Sequence, residues 1–80
     1  MILKPITSEK AVRMIDLENV ILFEVERQAT RDSIKKEVEK IFNVKVERVR
    51  TLIRYNKKIA YVRLKKSHLA IDIATKLGMI

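Results

Sequence analysis

The sequence is poor in the residues that build catalytic and metal sites. Its 80 residues include no cysteine, one histidine and one glycine. Without cysteine there is no disulfide, no thiolate metal ligand and no thiol nucleophile, which fits a reducing cytoplasm. The single histidine, His68, has no cluster of acids to complete a metal site, and the single glycine, Gly78, cannot build a phosphate-binding loop. Most carboxylates have a base nearby, as Glu37 has Lys40, which indicates solvated ion pairs. We therefore expect no enzyme activity, metal or cofactor.

The chain also lacks long apolar runs. Its uncharged stretches are far shorter than the ~20 residues that cross a bilayer. The first ten residues, MILKPITSEK, are not expected to form a signal peptide because Lys4 and Pro5 interrupt them. Hydrophobic residues make up 48% of the chain, which is enough for one core. We expect a single cytoplasmic domain over residues 1–80, without membrane insertion.

Positive charge is in excess, and all of the excess lies in one segment. The net charge is +8; residues 45–66 hold nine bases and one acid, and the rest of the chain holds nine of each. The nine bases are Lys45, Arg48, Arg50, Arg54, Lys57, Lys58, Arg63, Lys65 and Lys66. Lysines that protect an edge strand would explain only two or three of them. Such a concentration predicts a polyanionic partner, and nucleic acid is favoured over a membrane because the bases fall on predicted strands.

Three helices are predicted from their caps and apolar stripes. The expected N-terminal caps are Thr7 or Ser8 for the first helix, Thr30 for the second and Ser67 for the third. The first helix is expected to end in a turn over residues 16–19. The second ends at Asn43, and its apolar stripe consists of Ile34, Val38, Ile41 and Phe42. The third stops at Gly78, with Ala70, Ile73, Ala74 and Leu77 facing inward.

Four extended segments accompany the helices. A short strand is expected over residues 2–6, and a strand over 20–26 is apolar on both faces, which implies cover on both sides. Residues 44–53 and 59–65 alternate as strands, and the short connection RYNKK (54–58) makes them an antiparallel hairpin. The apolar phase of the first hairpin strand slips between Val46 and Val49, which predicts a bulge. The element order predicts an α+β fold with an antiparallel sheet.

The basic hairpin is suited to a row of phosphates. Its side chains follow one another at steps of ~3.3 Å along each strand, and each neutralised phosphate releases counterions. Tyr55 and Tyr61 can stack on bases, although Tyr61 is equally suited to covering Ile59 beneath a helix. The predicted RNA contacts in this segment are its nine bases together with Asn56 and Tyr61.

Three blocks of the chain resemble a known family. ITSEKA (6–11), ATRDSIKKEVEKIFNVKVERVRTL (29–52) and KKIAYVRL (57–64) are similar to blocks of the large-subunit ribosomal protein L-twenty-three family. The resemblance implies a four-stranded antiparallel sheet in the order β-α-β-α-β-β, with a C-terminal helix and helices packed on the sheet. It also implies a structural ribosomal protein that binds ribosomal RNA near the polypeptide tunnel exit.

The resemblance further implies partners and site residues. The expected partners are large-subunit ribosomal RNA, neighbouring large-subunit proteins and the signal recognition particle or other nascent-chain factors, with the free protein a monomer. Arg31 and Lys35 match positions that are usually basic and join the RNA-binding set. Glu9, beside Ser8, matches the acid that bacterial members offer to trigger factor, and it equally suits a helix dipole.

The sequence departs from the family pattern in places, and two other functions are alternatives to the ribosomal one. RYNKK is too short for the long basic loop of bacterial members, as in archaeal members, and Arg50 replaces a usual Asn. One alternative is a single-stranded RNA-binding module, because KKIAYVRL partly resembles the strand motif of an RNA recognition motif. That motif has a glycine where Lys58 stands and an aromatic residue where Ile59 stands. The other alternative is an adaptor that binds proteins and no RNA.

Overall fold

The computed structural model describes residues 3–78 and contains four strands and three helices in that range. In chain order they are β1 (Lys4–Pro5), α1 (Glu9–Glu18), β2 (Val20–Val25), α2 (Arg31–Phe42), β3 (Val46–Arg54), β4 (Lys57–Leu64) and α3 (Ala70–Lys76). This order confirms the predicted α+β fold; Ile2, at the start of the predicted first strand, lies outside the described residues. No helix within residues 3–78 is long and apolar enough to span a bilayer.

The four strands form one antiparallel sheet in the order β1-β2-β4-β3. β4 therefore lies between β2 and β3, which is an edge strand. Val46 pairs with Leu64 and Arg48 pairs with Arg63, so Glu47 is the extra residue of a bulge. The phase slip in the sequence predicted this bulge correctly.

One face of the sheet, called here the core face, packs against α2 and α3. The strands contribute Ile21, Phe23, Val25, Val46, Val49, Ala60, Val62 and Leu64. The helices contribute Ile34 and Val38 from α2, Ala70, Ile73 and Ala74 from α3, and Ile15 from α1. The rings of Phe23 and Phe42 stack with their centroids 6.1 Å apart. The predicted stripe of α2 is confirmed except at Ile41, which is 53% exposed.

The opposite face, called here the open face, is covered by α1 on the β2 side only. Ala11 of α1 packs on Val20 and Leu22 of β2, and Met14 and Tyr61 lie against this small cluster. The prediction that β2 is covered on both sides is confirmed. The open-face side chains of β3 remain without a covering helix, which exposes the part of the sheet that carries the charge.

The predicted caps of α1 and α2 are confirmed. Ser8 caps α1 by accepting a hydrogen bond from the Ala11 amide at 3.2 Å. Thr30 caps α2 and forms a reciprocal box with Ser33, whose hydroxyl accepts from the Thr30 amide at 2.9 Å. Asn43 ends α2 in the left-handed conformation, with φ 54°.

The end of α1 and the start of α3 differ from the prediction. The turn expected over residues 16–19 is wrong because α1 continues to Glu18, and Asn19 caps it with φ 58°. The cap expected at Ser67 is also wrong because α3 begins at Ala70 without a side-chain cap from its own preceding residue. The side chain of Asn19, which is distant in the sequence, caps the start of α3 instead. Its Oδ1 accepts from the Ala70 amide at 2.6 Å, and its Nδ2 donates to the His68 carbonyl at 2.9 Å.

Candidate nucleic-acid interface

The open face of β3 and β4 carries a row of bases. Strand alternation and the β3–β4 register place on it Arg48, Arg50, Arg54, Lys57 and Arg63, which together are called here the basic face. All five were predicted RNA contacts. The buried apolar residues of the same two strands, Val46, Val49, Ala60, Val62 and Leu64, point to the core face, so strand alternation places these five bases on the opposite side.

Like charges oppose each other on the basic face. Arg48 lies directly across from Arg63, and Arg54 lies directly across from Lys57. Such cross-strand pairs destabilise a sheet because the side chains are held ~5 Å apart at their Cβ atoms. The arrangement is therefore unfavourable for the free protein unless anions are present.

Only part of this charge is neutralised within the protein. Arg63 Nη2 lies 3.7 Å from Glu18 Oε1, and Lys57 Nζ lies 3.8 Å from Glu24 Oε1. These pairs are long and substantially exposed, so each contributes little to stability. Within the part of the chain that the structure describes, the other three arginines of the basic face form no ion pair within 4.0 Å.

A groove runs between α1 and β3 along the basic face. It is lined by Lys10, Arg13, Met14, Leu17, Glu18, Arg50, Thr51, Leu52 and Tyr61. Lys10 and Arg13 lie outside the basic segment and were not predicted as contacts. Their spacing of three residues on an exposed helix side was the available signal, but only the packing of α1 over the sheet brings them opposite Arg50.

Tyr61 lies at the floor of this groove. It is half-buried against Ala11, Val20 and Leu22, and its remaining surface lines the groove. The structure thus confirms that Tyr61 helps to pack the sheet beneath α1. Base stacking by Tyr61 stays a prediction.

The basic surface continues around the outer edge of β3. A second groove between α2 and β3 is lined by Arg31, Lys35 and Arg48, together with Asp32 and Glu47. Arg31 and Lys35 are both exposed. The two bases that the family resemblance suggested therefore lie next to the basic face.

The remaining predicted contacts lie elsewhere. Asn56 is in the turn that joins β3 to β4. Lys45, Lys65 and Lys66 are exposed at the opposite end of the hairpin, where the Lys65 amide donates to the Lys45 carbonyl at 3.0 Å. Ser8 and Glu9 are exposed at the capped start of α1.

Lys58 belongs to the core face, although it is the neighbour of Lys57 in the chain. Its ammonium group donates to the Ala29 carbonyl and, at 3.4 Å, to the Arg27 carbonyl. Lys58 thereby ties β4 to the connection between β2 and α2. Adjacent positions on a strand point to opposite faces, so the sequence pair could not act as one unit.

The arrangement defines a class of protein: a small α+β protein in which one face of the sheet carries bases that lie opposite each other on neighbouring strands. In residues 3–78 no three His, Asp or Glu side chains are grouped so as to hold a metal ion. A family model described as Ribosomal protein L23 matches residues 1–71. The chain therefore belongs to this family of ribosomal proteins.

Two curated relatives extend the similarity over the whole chain. A protein named large ribosomal subunit protein uL23, from Pyrobaculum aerophilum, is 47% identical over 81 aligned residues that cover 100% of both chains. A protein of the same name from Methanothermobacter thermautotrophicus is 44% identical over 79 residues, which cover 98% of this chain and 92% of the relative. The family is structural and not enzymatic, which confirms the prediction that the chain is not an enzyme. Membership also confirms the predicted location on the cytoplasmic ribosome.

Proposed function

We propose that the protein is a structural constituent of the large ribosomal subunit that binds ribosomal RNA through its basic face. Family membership and the names of the two relatives support the subunit role. The opposed pairs Arg48–Arg63 and Arg54–Lys57 support the RNA contact. A sheet that sets like charges against each other loses stability alone and gains it when phosphates lie between them. This is the observation that carries the proposal.

The contact begins on β3 and β4 and spreads to the neighbouring helices. Arg48 and Arg50 project at an interval of about 6.6 Å, and each guanidinium can bind a phosphate through two parallel hydrogen bonds. Lys10 and Arg13 provide the second wall of the groove beside Arg50. The proposed contacts at the periphery are Arg31, Lys35, Lys45, Asn56, Lys65 and Lys66. Lys58 adds to the positive charge of the hairpin, while its ammonium group donates hydrogen bonds to carbonyls of the loop before α2.

The location and the protein partners form a second part of the proposal. The family resemblance supports a position near the polypeptide tunnel exit, where Ser8 and Glu9 would receive the signal recognition particle or another nascent-chain factor. Both residues are exposed, and the Ser8 cap fixes the backbone on which they are presented. We further propose that the 80 residues form one domain, which is monomeric when free and contacts neighbouring large-subunit proteins on the ribosome.

The salt dependence of RNA binding tests the basic face. The binding constant for transcribed large-subunit ribosomal RNA is measured across a salt series for the natural protein and for the double variant Arg48→Gln/Arg50→Gln. We expect the logarithm of the binding constant to fall steeply with the logarithm of salt concentration. Because each phosphate contact contributes about 1 to this slope, the double variant should reduce it by about 2.

A matched variant controls for overall charge. Lys36→Gln/Lys40→Gln also removes two positive charges, but from the exposed side of α2, away from the sheet. We expect this control to bind with nearly the natural slope. Equal effects of the two double variants would show that RNA responds only to net charge, and they would contradict the proposed interface.

A further inference from the structure

The turn that joins β3 to β4 holds two residues in an unfavourable conformation. Tyr55 has φ 52° and Asn56 has φ 61°, so both central residues of the turn are left-handed. Two-residue hairpin turns of this kind favour Asn followed by Gly. Asn tolerates the left-handed region, whereas a tyrosine there is disfavoured because its Cβ crowds the following carbonyl oxygen. The turn therefore contains a bulky residue at a position that a smaller one would fill with less strain.

The strain at Tyr55 is not offset by packing of its side chain. Tyr55 is 90% exposed, the largest exposure among the large apolar residues in the described chain. Strained positions persist where the surrounding structure imposes them, and they are concentrated at functional sites. A ring that the fold holds in solvent, at a cost in backbone energy, is placed for a contact with another molecule.

The surroundings of Tyr55 indicate what that molecule is. Leu52 and Ile53 are 42% and 55% exposed, so three of the six exposed large apolar residues in the described chain are within four positions of each other at this tip. Arg54 and Lys57 flank the turn directly opposite each other, and one acid, Glu24, lies 3.8 Å from Lys57. An apolar protein pocket would accept the ring but would desolvate Arg54 without neutralising it. An unpaired RNA base offers an aromatic face, and its flanking phosphates offer the anions.

We propose that this hairpin tip is a wedge that inserts into folded ribosomal RNA, with Tyr55 stacked on an unpaired base. Arg54 and Lys57 bind the phosphates on either side of that base, which relieves their mutual repulsion. The inference rests on the proposed function, since the ligand is the same RNA, but it assigns a separate stacking contact at the end of the basic face. Backbone strain at Tyr55 is then retained because an aromatic ring is required there.

Substitution by asparagine separates the stacking role from stability. Tyr55→Asn removes the ring and places a residue suited to the left-handed region in the turn, so we expect the melting temperature of the free protein to stay equal or rise. Affinity for transcribed large-subunit ribosomal RNA should fall about 5- to 160-fold, the range of one base–aromatic stack. The salt slope should not change because no charge is removed. Tyr55→Phe keeps the ring and should bind within about threefold of the natural protein.

Two further measurements make the outcome decisive. Ile41→Gln removes another exposed apolar side chain, on α2, and should bind RNA as the natural protein does. Natural affinity in Tyr55→Asn, alongside a steep salt dependence of the natural protein, would overturn the wedge and leave the basic face intact. Absence of salt-dependent RNA binding by the natural protein would overturn the proposed function itself. A melting temperature of Tyr55→Asn clearly below the natural value would overturn the argument from strain.

Discussion

Reversing one charge of an opposed pair should raise the free energy of unfolding of the free protein and lower its affinity for RNA. Arg48→Glu places a carboxylate directly across from Arg63. An opposite-charge cross-strand pair contributes about 0.2–1 kcal/mol, and removal of the like-charge repulsion adds a similar amount. Glu18 already lies 3.7 Å from Arg63, and solvent screens the exposed position, so the lower half of the summed range applies. We expect a gain of about 0.5–1 kcal/mol in the free energy of unfolding.

Two assays on Arg48→Glu report the two effects. A gain of this size raises the melting temperature by about 2–8 °C in a domain of this length, measured by circular dichroism at low salt. The gain should shrink at 1 M salt because screening weakens the new pair. Binding to ribosomal RNA should weaken about 10- to 100-fold, since a charge-assisted hydrogen bond to phosphate is lost and a repulsion is gained.

A matched charge reversal on α2 serves as the control for Arg48→Glu. Lys36→Glu makes the same change in net charge on the solvent side of α2, and it should alter both measurements much less. A free Arg48→Glu protein less stable than the natural one would show that the arginines do not repel each other across the sheet. Natural RNA affinity in Arg48→Glu would show that the basic face is not the RNA contact.

Two further predictions concern residues away from the basic face. Asn19→Ala should lower the free energy of unfolding by about 2–4 kcal/mol in urea titrations, because alanine is disfavoured at φ 58° and the Ala70 amide loses its acceptor; a loss below about 1 kcal/mol would refute the role given to this side chain. Glu9→Lys should weaken sedimentation of the signal recognition particle with ribosomes while leaving ribosomal RNA binding unchanged. Asp32→Lys, which alters the equivalent first-turn acid of α2, is its control. Equal docking by both variants would contradict the assignment of Glu9.

Local signals in the sequence predicted a large part of the fold. Thr30 and Asn43 mark the limits of α2 because each cap depends on backbone within a few residues. The bulge at Glu47 was visible because an extra residue shifts the alternation of apolar side chains. The charge surplus of residues 45–66 predicted a basic hairpin, and strand alternation in the folded sheet places five of its nine bases on one side.

The features that the sequence did not predict depend on distant contacts. Asn19 sets the start of α3 through hydrogen bonds to residues about 50 positions away, which displaced the cap expected at Ser67. Lys58 was predicted as an RNA contact like Lys57, but strand alternation turns it to the core face, where it donates to the loop carbonyl of Ala29. The second wall of the groove was missed because α1 is placed opposite β3 only by the packing of its apolar side on β2.

Chemical footprinting of arginine and lysine side chains tests the central claim most directly. The free protein and its complex with large-subunit ribosomal RNA are modified in parallel, and the modified positions are quantified by mass spectrometry. We predict strong protection of Arg48, Arg50 and Lys57 in the complex, while Lys36 and Lys40 on the outer side of α2 react as in the free protein. Protection of α2 with full reactivity of the basic face would contradict the account.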